Sequence, residues 1–195
     1  ARRLMYWQVY LHKTSVACEK MINNTLLRAK ELAHQGVELF VTPALRYFLY
    51  GDITREMFFN DEQCLETFTQ LDDNDIWCAL KTWANHEDKV LATLSSGLVN
   101  RRLFKVEIDS KPFSDEYKDG IVTRIADSLN IDKDECSYLL CAAIHEKDMY
   151  TAADDQIEIL YNDGTTRDIA EASDMFDLTL LQKKVKKHYI CYHRV

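Results

Sequence analysis

Apolar, small or amphipathic side chains recur along the start of the chain at Met5, Val9, His12 and Val16, then at Cys18, Ile22, Leu26, Ala29 and Ala33. Steps of three and four keep one side of a helix toward a core, with a small phase drift near Cys18. The spacing predicts one helix from Arg2 to Gln35, roughly 50 Å long at the usual helical rise. A helix of that length is a spine, not a peripheral element. Gly36 is the expected terminator, because glycine alone takes the left-handed conformation without steric cost. No capping residue precedes this helix and no Met opens the chain. We therefore expect a piece of a longer protein.

The helical period continues. Val37 to Tyr50 predicts a helix started by Pro43 and stopped by Gly51. Phe58, Phe59, Cys64, Leu65 and Phe68 predict a short helix opened by Asp61. Asp72 and Asp73 are N-cap candidates for a helix carrying Ile76, Ala79, Leu80 and Trp83. A carboxylate there accepts the free N–H groups of the first turn and suits the positive end of the helix dipole. Val90, Leu91, Leu94 and Leu98 predict one more helix.

At Asn100 the period changes. Leu103 to Asp109 alternates in part and is rich in strand formers. Ser114 caps a predicted helix with Tyr117, Ile121, Val122, Ile125, Ala126 and Leu129 on one side. Tyr138 to Ile144 is a nearly continuous apolar run, the mark of a buried strand. Ile157, Ile159 and Tyr161 alternate with Glu158 and Leu160. Asn162-Asp163-Gly164 then signals a turn, and Thr165 to Ile169 returns as a short strand. Ser173 to Lys184 reads as a helix and Val185 to His193 as a last strand. The fold class expected is α+β. An all-helical part with a long first helix spans residues 1–99, and a small ferredoxin-like α+β sheet domain spans 100–195.

Composition narrows the class. The chain has 195 residues, 47% of them hydrophobic, with only five Gly and two Pro, which fits a folded protein with little linker. No apolar run approaches a membrane span, so no membrane association is expected. The net charge of −8 speaks against a general nucleic-acid binder. It does not exclude a local anion site, and cations do cluster at Arg101, Arg102 and Lys105 and again at Lys183, Lys184, Lys186 and Lys187. The six cysteines show no C-x-x-C spacing and most have apolar neighbours, so we expect reduced, buried thiols in a cytoplasmic protein.

Catalytic motifs are absent from the sequence. The six histidines show no H-x-x-x-H spacing, and no phosphate-binding or dinucleotide-binding glycine motif occurs. His86-Glu87-Asp88 sits at a helix junction, where a solvated cap is a better reading than a metal ligand. Two stretches stand out. Arg2, Tyr6, Tyr10 and Lys13 fall on one helical stripe and present cations and phenols to a flat anionic ligand. Spacing alone better describes a solvated helix end with two half-buried tyrosines. Arg101, Leu103 and Lys105 share one face of a predicted strand, which suits a nucleotide's phosphates and base. The plainer reading is an edge strand protected by charge.

Several blocks, taken in order, resemble the C-terminal half of HD-domain deoxynucleotide triphosphohydrolases. They are Tyr6-x-x-Val9-Tyr10-x-His12-Lys13, Leu71-x-Asp73-Asn74-Asp75-Ile76 and Asn100-Arg101-x-Leu103-Phe104-Lys105. The similarity is to bacterial HD-superfamily phosphohydrolases and to the mammalian SAM- and HD-domain dNTP triphosphohydrolase. It spans nearly the whole chain and weakens after about residue 110. In that family an N-terminal HD domain holds a divalent metal, and hydrolysis releases triphosphate from a deoxynucleoside. The chain has no His-Asp dipeptide. The resemblance thus implies a C-terminal part whose metal ligands lie upstream, with no cofactor of its own. It implies that Arg2, Tyr6 and Tyr10 touch substrate. It also implies that His12, Lys13, Arg101, Leu103 and Lys105 hold a regulatory nucleotide between subunits of a homo-oligomer. Trp7 and Gln8 depart from the mammalian pattern, which has two Arg there. The alternative expectation is a non-catalytic regulatory or oligomerisation module of an HD phosphohydrolase acting on another nucleotide or phosphoester.

Overall fold

The computed structural model describes Met5, Val9 and residues 12–147, 158–168 and 185–195. Arg2, Tyr6 and Tyr10 lie outside the described residues, as does the helix expected over Ser173 to Lys184.

The first described helix, α1, runs Lys13–His34, and its start corrects the single helix expected from Arg2. His12 is extended, with ψ 137°, and its Nδ1 accepts the Thr14 N–H at 3.3 Å. A side-chain N-cap is what a helix start needs, because the first N–H groups have no partner within the helix. Met5 and Val9 are both about half exposed, so the apolar stripe before His12 does not continue into the core. The buried face of α1 is also rotated from the expected one. It carries Ala17, Met21, Thr25, Arg28, Ala29, Leu32 and Ala33, while Cys18, Ile22 and Leu26 flank it. Two polar residues on that face are satisfied locally. Thr25 Oγ1 donates to Met21 O at 2.6 Å, and Arg28 enters an ion cluster.

Helix α1 ends as expected at Gly36, with φ +87°. Gly36 N–H bonds Ala33 O and Val37 N–H bonds Leu32 O, which closes a Schellman motif. Five helices follow: α2 (Pro43–Tyr50), α3 (Met57–Asn60), α4 (Glu62–Gln70), α5 (Asp73–Trp83) and α6 (Lys89–Val99). Asp61 caps α4, and Asp72 caps α5 in a reciprocal box with Asp75. Trp83 is buried and donates its Nε1–H to Phe40 O at 3.0 Å.

The change of architecture falls where the period changes. After α6 come β1 (Lys105–Asp109), α7 (Asp115–Leu129), a 3₁₀ turn (Asp134–Tyr138) and β2 (Leu140–Lys147). Strands β3 (Glu158–Leu160) and β4 (Thr166–Asp168) form a separate hairpin around the expected turn, and β5 (Val185–Tyr192) ends the order. The three-stranded sheet has the order β1-β5-β2, with β5 antiparallel to both neighbours. Strands β1 and β2 are therefore parallel, joined by α7 and separated by β5, a split β-α-β unit. The α+β class holds, with helices first and a small antiparallel sheet after. Two strand starts shift: β1 opens at Lys105, not Leu103, and Tyr138 belongs to the 3₁₀ turn.

One buried cluster joins both parts, from Ala17, Met21, Leu91 and Leu94 through Phe104 and Val106 to Ile121, Ile125 and Ile190. Gly97 lets α6 approach α1. A Cβ there would lie 2.7 Å from Met21 Cε and 3.1 Å from Arg102 O. Met21 is held in turn, since its sulfur accepts the Phe104 N–H at 3.3 Å. Gly97→Ala is expected to lose about 1–3 kcal/mol, the usual penalty of overpacking. A urea melt of the variant checks this, and an unchanged midpoint would show that Met21 relocates freely.

Candidate anion-binding cleft

Helix α6 ends in the same motif as α1, with one unusual residue. Arg101 N–H bonds Leu98 O at 3.2 Å and Arg102 N–H bonds Gly97 O at 2.8 Å. The left-handed position that Gly36 fills in α1 is here Arg101, with φ 56°. For an L-residue with a Cβ this conformation costs about 1–2 kcal/mol. Among the described residues, the other non-glycine at positive φ is Asn130, and Asn is tolerated there because its short amide bonds locally.

This turn overturns the shared strand face expected for Arg101, Leu103 and Lys105. Arg101 closes a helix, Leu103 lies in the connection, and Lys105 alone is on β1. The turn instead puts Arg101, Arg102 and Leu103 together at a cleft of about 690 Å³. Thr14 from the start of α1 lines one side, Ser96 and Gly97 line another, and His193 and Arg194 close it from the end of β5. The β1–β5 register explains that last wall. Lys105 pairs with Tyr192, so residues just before Lys105 run beside residues just after Tyr192.

The cleft is electropositive by construction. Among the described residues its lining carries three arginines and no carboxylate. Arg101, Arg102 and Arg194 make no ion pair among the described residues. Burial and the charge of Arg102 both push the His193 imidazole below its ordinary pKa. The ring is thus neutral at pH 7 and available as a flat surface or a single hydrogen-bond partner. It stands edge-on to buried Phe104, with ring centres 6.5 Å apart.

A smaller cavity of about 290 Å³ shares His193 and Arg194 and adds Lys105, Arg124 and Tyr192. Lys105 is already engaged there. Its Nζ lies 2.7 Å from Glu107 Oε1 and 5.6 Å from the centre of the Tyr192 ring. Glu107 also accepts the hydroxyls of Tyr192 at 2.6 Å and Tyr117 at 3.0 Å. The Lys105 ammonium and then the Tyr192 hydroxyl lower the Glu107 carboxyl to about 2. Lys105 is therefore a paired cation at the edge of the cleft. His12 and Lys13 are exposed, two residues and one residue before Thr14, with His12 committed to its capping bond.

Sequence reasoning missed Thr14, Arg102, His193 and Arg194. Arg102 was visible in the Arg101-Arg102 pair, but strand alternation sent it to the opposite face. His193 and Arg194 needed the strand order, which local pattern does not carry. Among the described residues, no group of three or more His, Cys, Asp or Glu is placed to hold a metal ion. His86 and Asp88 form a cap, as expected, but not a solvated one. Asp88 Oδ1 accepts the Leu91 N–H at 2.7 Å, and its side chain is only 13% exposed.

No family model matches the chain. A solved structure, that of a phosphohydrolase from Bacteroides thetaiotaomicron VPI-5482, superposes on it with a TM-score of 0.93 at 58% identity over 99% of its length. The chain resembles half of a phosphohydrolase. It covers 48% of that protein. The uncharacterized protein YwfO of Bacillus subtilis (strain 168) is 31% identical over 106 residues, which is 54% of this chain and 22% of the length of YwfO. No helix among the described residues is long and apolar enough to cross a membrane.

Proposed function

We propose that the chain is the C-terminal part of an HD-type phosphohydrolase acting on deoxynucleoside triphosphates. Its role there is to bind nucleotide phosphate in the arginine cleft and to contribute regulatory and oligomer surface, while the metal-bearing catalytic motif belongs to the rest of the protein. The observation that carries this reading is the cleft that gathers Arg101, Arg102 and Arg194, with no opposing carboxylate among the described residues. A guanidinium presents its donors in a planar fork that matches phosphate oxygens, and arginine stays charged at any working pH. The cleft's volume suits a small organic ligand, for which pockets run about 300–1,000 Å³. Leu103 and neutral His193 offer apolar and flat surface for a base. The likeness to a phosphohydrolase supports the general chemistry, and the blocks around Tyr6, Asp73 and Arg101 support the deoxynucleotide assignment.

Two measurements test this reading. The full-length protein should bind a dNTP, and inorganic tripolyphosphate should compete for the same site, with affinity falling as salt screens the arginines. No binding of either at millimolar concentration would overturn the assignment. The chain of residues 1–195 alone should release no triphosphate from any dNTP with any divalent metal, because a water-activating ion needs converging ligands. Metal-dependent release by the chain alone would overturn the division of roles.

A further inference from the structure

Cys141 of β2 and Cys191 of β5 are directly paired across the antiparallel ladder. Opposed residues in such a ladder hold their Cα atoms about 4.5–5.5 Å apart with side chains on one face. A disulfide asks for Cα atoms about 4.4–6.8 Å apart, a range that the spacing of opposed residues falls within. Both thiols are free. Cys191 is fully buried, while Cys141 is only partly covered and open to a small reagent.

The surroundings give the two sulfurs different parts. Cys191 stands opposite Cys141 across the ladder, and the Lys20 ammonium from α1 adds its charge. Together they lower the Cys141 pKa against the opposing effect of burial, while Cys191 is raised. Lys20 is itself held at 3.4 Å by Glu19, and the Tyr189 hydroxyl faces it. The thiols of Cys18 and Cys136 are instead pushed up, chiefly by burial. A thiolate beside a second thiol is the arrangement that reacts with peroxides and resolves to a disulfide.

We infer that Cys141 and Cys191 form a modification site for hydroperoxides, a dithiol that oxidises to a disulfide stapling β2 to β5. The Cys141 thiolate attacks the terminal oxygen of the hydroperoxide. The O–O bond breaks, the alkoxide leaves and takes a proton to become an alcohol, and Cys141 becomes a sulfenic acid. The Cys191 sulfur then attacks the Cys141 sulfur. The S–S bond forms, the S–O bond breaks, and the leaving hydroxide combines with the Cys191 proton as water. Two thiols are oxidised and one hydroperoxide is reduced to an alcohol and water.

The test uses the whole chain with hydrogen peroxide as the probe, followed by alkylation and peptide mapping without reductant. The expected result is loss of two alkylatable thiols, with the Cys141 and Cys191 peptides joined and dithiothreitol releasing them. In Cys191→Ser, dimedone should label Cys141. In Cys141→Ser, Cys191 should stay unmodified. The wild-type map decides even where a variant folds poorly. Recovery of both Cys141 and Cys191 as free thiols, at a dose that modifies exposed Cys78, would overturn the proposal. So would a Cys141 disulfide formed only between two chains.

Discussion

Arg28→Ala is expected to remove about 2–4 kcal/mol of stability at pH 7, measured by urea unfolding, because it strips the cation from a partly buried ion cluster. Arg28 sits on α1 with a side chain 10% exposed. Its Nη2 reaches Asp88 at 2.5 Å and Glu135 at 2.9 Å, and its Nη1 reaches Glu31 at 2.8 Å. Tyr138 lies under the guanidinium at 5.6 Å and donates its hydroxyl to Glu31 at 2.8 Å. Asp88 caps α6 and Glu135 is in the 3₁₀ turn before β2, so one side chain ties the helical part to the sheet. Alanine would leave three carboxylates around an emptied site. Arg28→Lys should recover little, since one ammonium cannot reproduce a fork with three acceptors.

The same cluster sets an acid limit. For Asp88, burial opposes ionisation, but the hydrogen bonds from Arg28 and from Leu91 N–H outweigh it and hold the carboxyl below its ordinary range. The Tyr138 hydroxyl and the Arg28 guanidinium do the same for Glu31. A folded pKa below the unfolded one means that the unfolded state binds protons first as pH falls. The stabilisation is therefore complete above the unfolded carboxylate range of about 4 and is lost as pH drops through the folded values. The gap between wild type and Arg28→Ala should narrow from pH 7 to pH 3. A gap below 1 kcal/mol at pH 7, or one that ignores pH, would mean that the cluster does not hold the fold together.

Arg28 also shows what hydropathy leaves unread. Caps were legible because each is a local bond: Gly36, Asp61, Asp72 and Ser114 all do what their residue types imply. The core faces of α5 and α6 were legible too, since Ala79, Leu80, Trp83, Val90, Leu91, Leu94 and Leu98 are all buried. On α1 the buried side includes Thr25 and Arg28, whose partners lie next to them or more than fifty residues away. A scale that treats polar residues as outward-facing then rotates the helix toward Cys18, Ile22 and Leu26. The break at His12 escaped notice because imidazole is a rarer cap than Ser, Thr, Asp or Asn. The cleft was half legible. Arg101 and Leu103 were singled out for binding anion and base, and both line it. Its far wall depends on β5 inserting between β1 and β2, a topological fact with no local signature.

Arg101→Gly separates function from stability, because the two effects should run in opposite directions. At φ 56° an arginine is strained where glycine is relaxed. Glycine also adds freedom to the unfolded chain, which offsets part of the gain. The net expectation is a stability unchanged or higher by about 0.5–1 kcal/mol. The neighbouring turn bonds are backbone bonds and should survive. Nucleotide affinity should move the other way. A charge-assisted hydrogen bond contributes about 1.5–3 kcal/mol, so the full-length variant should bind a dNTP roughly tenfold to a hundredfold more weakly. Arg101→Asn is the companion, since Asn also tolerates the left-handed region but carries no charge. Both variants should lose affinity while melting at or above the wild-type temperature. Unfolding cannot explain such a pair of results. Wild-type affinity in both would reduce Arg101 to a strained surface residue.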